Sequence, residues 1–171
     1  EWLRKRLDAA PVLQRPVAGG TVPFLGETFA LQTHSKRQAK LAPGTFIIPE
    51  GEAGGPALGR LLKARARLAL IESTEFYAGE LGRSFGKISL RDPRGRWGSC
   101  SSKGDLMYSW RLIMAPQKVL DYVAAHEVAH LAEMNHSSAF WAVVAQLMPN
   151  YEVPRNWLRH HGAALHRHDF T

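Results

Sequence analysis

Cysteine is nearly missing from this 171-residue chain: Cys100 stands alone. An intramolecular disulfide is therefore impossible, and the absence of a disulfide framework fits a reducing compartment, so a cytoplasmic location is expected. Long hydrophobic runs are missing too. Every apolar stretch is broken by Asp, Glu, Arg or His well short of the roughly 20 residues that cross a bilayer. The opening Glu-Trp-Leu-Arg-Lys-Arg has no apolar run behind it and does not read as a secretory signal. Because residue 1 is Glu and not Met, a preceding segment is expected. Acidic residues are in deficit, 15 against 22 Lys and Arg, and the formal net charge of +7 suits an anionic partner without choosing one.

Enough apolar residues remain, 45% of the chain, for one globular domain over residues 1–171. A short helix is predicted over residues 2–9, stopped by Pro11, then a connector through Gly20. Strands are predicted at Val22–Leu25, Thr28–Thr33 and Thr45–Pro49, the first two joined by a turn at Gly26-Glu27. A loop at Gly51–Pro56 leads to a long helix, Ala57–Leu81, stopped by Gly82. Lys87–Arg91 and Leu106–Ile113 read as strands around the turn-rich stretch Asp92–Asp105. Pro116 opens a helix expected to run to about Met134. Two more helices follow, Ser138–Met148 and Pro154–Leu165. Strands first and helices clustered later give an α+β fold.

The helix after Pro116 carries the chemistry. In His126-Glu127-Val128-Ala129-His130 the two histidines are four apart, so both imidazoles lie on one helix face and reach one ion. Glu127 projects beside that face, within reach of a water molecule but not of the ion. Two His and one Glu so arranged are the working parts of a zinc-assisted hydrolase. Leu120, Ala124, Val128 and Leu131 give the helix an apolar side opposite the histidines. A catalytic zinc takes three protein ligands and leaves one position open. His136 is the favoured third ligand if the chain reverses at Asn135 in a left-handed conformation. Glu133 and Glu152 are the other candidates, Glu133 fitting better as an acceptor that orients a ligand.

These segments, with Arg96-Trp97-Gly98-Ser99-Cys100-Ser101-Ser102, Trp110-Arg111-Leu112-Ile113, Ala115-Pro116, Met134-Asn135-His136-Ser137 and Phe140-Trp141, resemble the YgjP-like metallopeptidase family. That family is related more distantly to the SprT-like and WLM zinc proteases. The resemblance runs from about Trp2 to Trp157. It implies three ligands at His126, His130 and His136, bound Zn2+, and a base at Glu127. It also implies a small mixed sheet packed on a zincin-type active-site helix, with further C-terminal helices, and a strand pair ahead of Trp2 that this sequence lacks. The sheet edge beside that helix would bind extended substrate, and Asp105–Arg111 is the natural candidate. Some relatives are described as nucleotide pyrophosphatases acting on UTP.

Arg96, Arg111 and Tyr108 are candidates to meet substrate or developing negative charge. Cys100 reads as a small packing residue, and Trp97, Trp110 and Trp141 as core. Arg60, Lys63 and Arg67 form a solvated helix face. His160, His161, His166 and His168 are either an anion or second metal site or a His-rich tail. The leading functional reading is a zinc-dependent peptidase acting on a peptide or protein. The alternatives are a metal-dependent nucleoside triphosphate (UTP) pyrophosphatase and a nucleic-acid-associated module. The last is weakened by the lack of aromatic residues among the basic ones.

Overall fold

A computed structural model describes residues 12–171; the helix expected over residues 2–9 lies outside the described residues. The first sheet contains β1 (Thr21–Phe24), β2 (Glu27–His34), β3 (Lys40–Ala42) and β4 (Thr45–Pro49), in the order β1-β2-β4-β3. β2 and β4 are parallel and the other pairs antiparallel. The β1–β2 turn falls at Leu25-Gly26, one residue before the expected place, with φ of 50° and 83°. Both positions of such a tight hairpin need positive φ, which is rare for leucine. Here the Leu25 N–H donates to the Ile113 carbonyl at 2.8 Å, tying the turn down. A Cβ on Gly26 would lie 2.9 Å from the Pro116 Cα, so the hairpin tip presses on the start of the site helix.

Helix α1 runs Gly54–Leu81, three residues longer at its start than predicted, because Pro56 is tolerated in a first turn. Leu58, Leu62, Ala66, Leu70 and Thr74 recur every fourth residue as a fully buried ridge. Gly82, at φ 66°, ends it as expected; its N–H donates to the Ala78 and Gly79 carbonyls. Arg60, Lys63 and Arg67 are exposed on the other side.

The second sheet contains β5 (Ile88–Arg91), β6 (Gly98–Cys100) and β7 (Leu106–Ser109), ordered β5-β7-β6, so the single small sheet of the sequence reading is in fact two. β7 pairs with β5 in parallel and β6 antiparallel. Two expectations change here. The strand predicted over Leu106–Ile113 ends at Ser109, and Trp110–Met114 is a 3₁₀ helix. The Asp105–Arg111 run is also not a free edge, because β7 is bonded on both sides; the edges are β5 and β6, and β6 is the one against the site helix.

The site helix, α2, spans Gln117–Ala129 and packs against α1, β6 and the two last helices, α3 (Ser138–Leu147) and α4 (Glu152–Leu165). From Val119 onward it is buried on almost every side, not along one apolar face. The tail then returns to the core. Phe170 is buried against Trp110, and the Gln14 N–H donates to the Arg167 carbonyl at 2.8 Å. Among the described residues no helix is long and apolar enough to cross a membrane.

Candidate metal centre

α2 brings His126 and His130 onto one face, and the chain then bends back. The helix ends at Ala129 instead of Met134, and the Leu131, Ala132 and Glu133 N–H groups close tight turns onto the Val128 and Ala129 carbonyls. Asn135 is not left-handed: Leu25 is the only non-glycine residue with positive φ among the described residues. The reversal is spread over Glu133–Ser137, and the Ser137 Oγ then caps α3 by accepting from the Phe140 N–H at 3.4 Å.

His136 returns so that its Nε2 lies 3.2 Å from the Nε2 of His126. One ligand atom from each of His126, His130 and His136 lies within 4.8 Å of the others. Glu133 and Glu152 do not join this cluster. Glu133 contributes its backbone: the His130 Nδ1–H donates to the Glu133 carbonyl at 3.0 Å, which leaves Nε2 as the free nitrogen. Tyr122, one turn before His126, plays the matching part, its hydroxyl 3.4 Å from Nδ1. Phe140 of α3 touches all three rings at centroid distances of 4.4 to 4.9 Å. Sequence reasoning did not single out Tyr122; its position four residues before His126 was the available signal.

Burial and mutual repulsion favour the neutral form of the His126 and His130 imidazoles. His126 is pushed down to about 3, chiefly by burial and then by His130 and His136, and His130 is lowered for the same first reason. Glu127 is only 5% exposed, and burial pushes it up to about 8 against the pull of Arg96. Its carboxyl lies on the backbone of β6. A Cβ built on Gly98 would come within 2.6 Å of Oε1 and 2.9 Å of the carboxyl carbon. Glycine at 98 is thus a space requirement of Glu127, and sequence reading missed it.

A cleft of about 370 Å³ opens beside Glu127, lined by Arg96, Trp97, Gly98, His126, Arg155 and Arg159 among others. Arg96 is therefore brought to the site. Two other candidates are not. Tyr108 is wholly buried with its hydroxyl 2.9 Å from the Thr74 Oγ1, so it cannot meet an oxyanion. Arg111 grips both Asp92 carboxylate oxygens, at 2.6 and 3.0 Å, and donates to the Leu165 and His168 carbonyls; it fastens the C-terminal tail. Trp110 is core, but Trp97 and Trp141 are only partly buried and stand at the site. Cys100 donates to the Ser101 carbonyl, and burial raises its thiol, which suits packing. The four C-terminal histidines disperse: His160 bonds the Asn156 carbonyl, His161 lies by Trp157, His166 packs on Trp97 and His168 lies near Phe170. Among the described residues they form no metal cluster.

Residues 1–161 match the family described as YgjP-like, metallopeptidase domain. Among solved structures the chain is similar to the crystal structure of the metallopeptidase zymogen of Pyrococcus abyssi abylysin. Identity is 22% and the TM-score 0.49, with 58% of this chain and 97% of that chain covered. No curated protein matches.

Proposed function

The chain belongs to the YgjP-like metallopeptidase family, and on that basis we propose that it is a zinc-dependent peptidase in which His126, His130 and His136 hold the metal and Glu127 is the general base. The observation that carries this reading is the convergence of three imidazole nitrogens within 4.8 Å beside a buried carboxylate.

The donor set suits the ion. Three imidazoles with one position left over are a catalytic zinc set, and tetrahedral bonds of about 2.0–2.1 Å put ligand nitrogens about 3.3 Å apart. The His126–His136 separation of 3.2 Å agrees with that spacing. When bound, zinc supplies a Lewis acid that polarises the scissile carbonyl and acidifies the attacking water. The protein's own residues do the rest. Tyr122 and the Glu133 carbonyl hold two imidazoles in orientation through their Nδ1 atoms. Glu127 takes the proton from the attacking water on a carboxylate oxygen and returns it to the leaving amine. Gly98–Cys100 is the edge on which an extended peptide would lay its backbone, in place of Asp105–Arg111. Arg96 would stabilise negative charge developing near Glu127. Residues 1–171 would act as one hydrolase domain, since α4 walls the cleft and the tail after it rejoins the core.

Zinc per chain and cleavage of a peptide library test the reading together. We expect one zinc, activity abolished by chelation, loss of zinc in His136→Ala, and zinc retained without activity in Glu127→Gln. A protein that holds no zinc, and whose hydrolytic activity survives Glu127→Gln, overturns it.

A further inference from the structure

The hollows around β6 are basic at both ends. At the Gly98 end the cleft carries Arg96, Arg155 and Arg159. At the Cys100 end a second hollow of about 300 Å³ is lined by Arg83 and Lys103 together with His130. Among the described residues Glu127 is the only carboxylate lining either hollow. Among the described residues none of the five cations is in a salt bridge; the ion pairs there involve Arg15, Arg111 and His166. Unpaired arginines on an open surface are ordinary, but Arg96, Arg155 and Arg159 line the same cleft as His126 and Glu127, and Arg83 and Lys103 line the same hollow as His130. Arg155 is also held in place, its guanidinium 4.3 Å from the centroid of Trp141, which itself packs on His126.

Resting on the peptidase reading, we propose that this groove selects acidic peptide segments, with Arg96, Arg155 and Arg159 binding a substrate carboxylate on one side of the cleaved bond and Arg83 and Lys103 one on the other. Guanidinium groups recognise carboxylates in a two-pronged geometry, and a neutral or basic side chain would leave that charge uncompensated. The placement favours an extended polymer over a nucleotide. The cations stand at the two ends of a short edge strand, whereas a triphosphate needs them gathered at one point. The edge itself offers backbone pairing that a peptide can use and a nucleotide cannot.

Zinc-loaded Glu127→Gln protein separates binding from cleavage. Fluorescent peptides identical except for Asp and Glu, Asn and Gln, or Lys on both sides of a central bond are titrated by anisotropy, with UTP as competitor. The acidic peptide should bind about tenfold tighter than its amide counterpart. That preference should shrink severalfold in about 0.5 M NaCl, where screening is stronger. It should shrink severalfold in Arg155→Gln/Arg159→Gln, which leaves Arg96, Arg83 and Lys103, and shrink less in Arg155→Lys/Arg159→Lys, where the charge stays and the two-pronged geometry is lost; the pair of variants separates charge from any effect on folding. Equal affinity for the three peptides, no peptide binding, or strong UTP binding without peptide binding each overturns the subsite. Cleavage is read separately on the unmutated protein. Acidic peptides that bind preferentially but stay intact would sink the peptidase reading and leave the subsite standing. Peptides cut without charge preference would do the reverse.

Discussion

Gly98→Ala is expected to damage catalysis from outside the ligand set. An added methyl would lie 2.6 Å from the Glu127 Oε1, 2.7 Å from its Cγ and 2.9 Å from its Cδ, while ordinary contact begins at 3.4 Å. The carboxyl must therefore retreat by about 0.8 Å, the difference between 3.4 and 2.6 Å. It has little room to do so, because Glu127 is 5% exposed and flanked along α2 by buried neighbours. Overpacking of this kind costs about 1–3 kcal/mol of stability. The larger effect is on rate: misplacing a reacting group by about 1 Å can cost 10²-fold, or about 2.7 kcal/mol of transition-state stabilisation. We expect kcat/KM on a cleaved peptide to fall about 10²-fold with zinc per chain unchanged, since the three atoms nearest the methyl all belong to Glu127. Mass spectrometry of the metal and steady-state kinetics measure both. Adding Gly98→Ala to Glu127→Gln should cost nothing further in rate, because the two changes remove the same function. A single variant with wild-type kcat/KM, or one that has lost its zinc, would refute the reasoning.

Chelator-treated protein should lose stability relative to Glu127→Gln as pH rises from 6.5 to about 8. Glu127, raised from 4.5 to about 8, binds more protons folded than unfolded across that window, so its share of the slope of stability with pH is negative. The lowered His126, His130, His166 and His168 oppose it with a positive slope that persists to about a unit above 6.5, so the difference between the two proteins isolates the carboxyl. That difference should be on the order of 2 kcal/mol. Urea denaturation of both proteins measures it; identical slopes would contradict the assignment. Tyr108→Phe should cost about 1 kcal/mol, from the lost bond to Thr74, and leave kcat/KM unchanged; a large drop in rate would restore it as an oxyanion donor. Arg111→Gln should lower stability by about 2–3 kcal/mol without raising KM, because it frees Asp92 and two tail carbonyls. A raised KM in a normally stable protein would show that Arg111 meets substrate.

What could be read from sequence follows from how local each feature is. The His126/His130 pairing depends only on the helix repeat, and Gly82 ends its helix by an intrinsic conformational preference, so both are visible within a few residues. β6 is three residues of Gly-Ser-Cys with no alternation; it is a strand because β7 pairs with it, and nothing in its own pattern says so. The run Leu106–Ala115 is mostly apolar and buried except at the partly buried Met107 and Arg111, so periodicity could not place the switch from strand to 3₁₀ helix at Ser109. Arg111 and Tyr108 were open to a functional reading because their partners, Asp92 and Thr74, lie 19 and 34 residues away.

The third ligand shows the same limit from the opposite direction. His136 was assigned through a left-handed Asn135 that the structure does not contain, yet the imidazole reaches the cluster. Helix ends have several ways to reverse a chain, and here tight closing turns after Ala129 and the Ser137 cap share the work. The position of His136 is better explained by what it packs on. Phe140, one turn into α3, touches the rings of His126, His130 and His136 alike, so the helix that follows the bend and the helix that precedes it meet at the metal centre. On that account the bend is set by the docking of α3 on α2, and the dihedral angles of Asn135 are free to be ordinary.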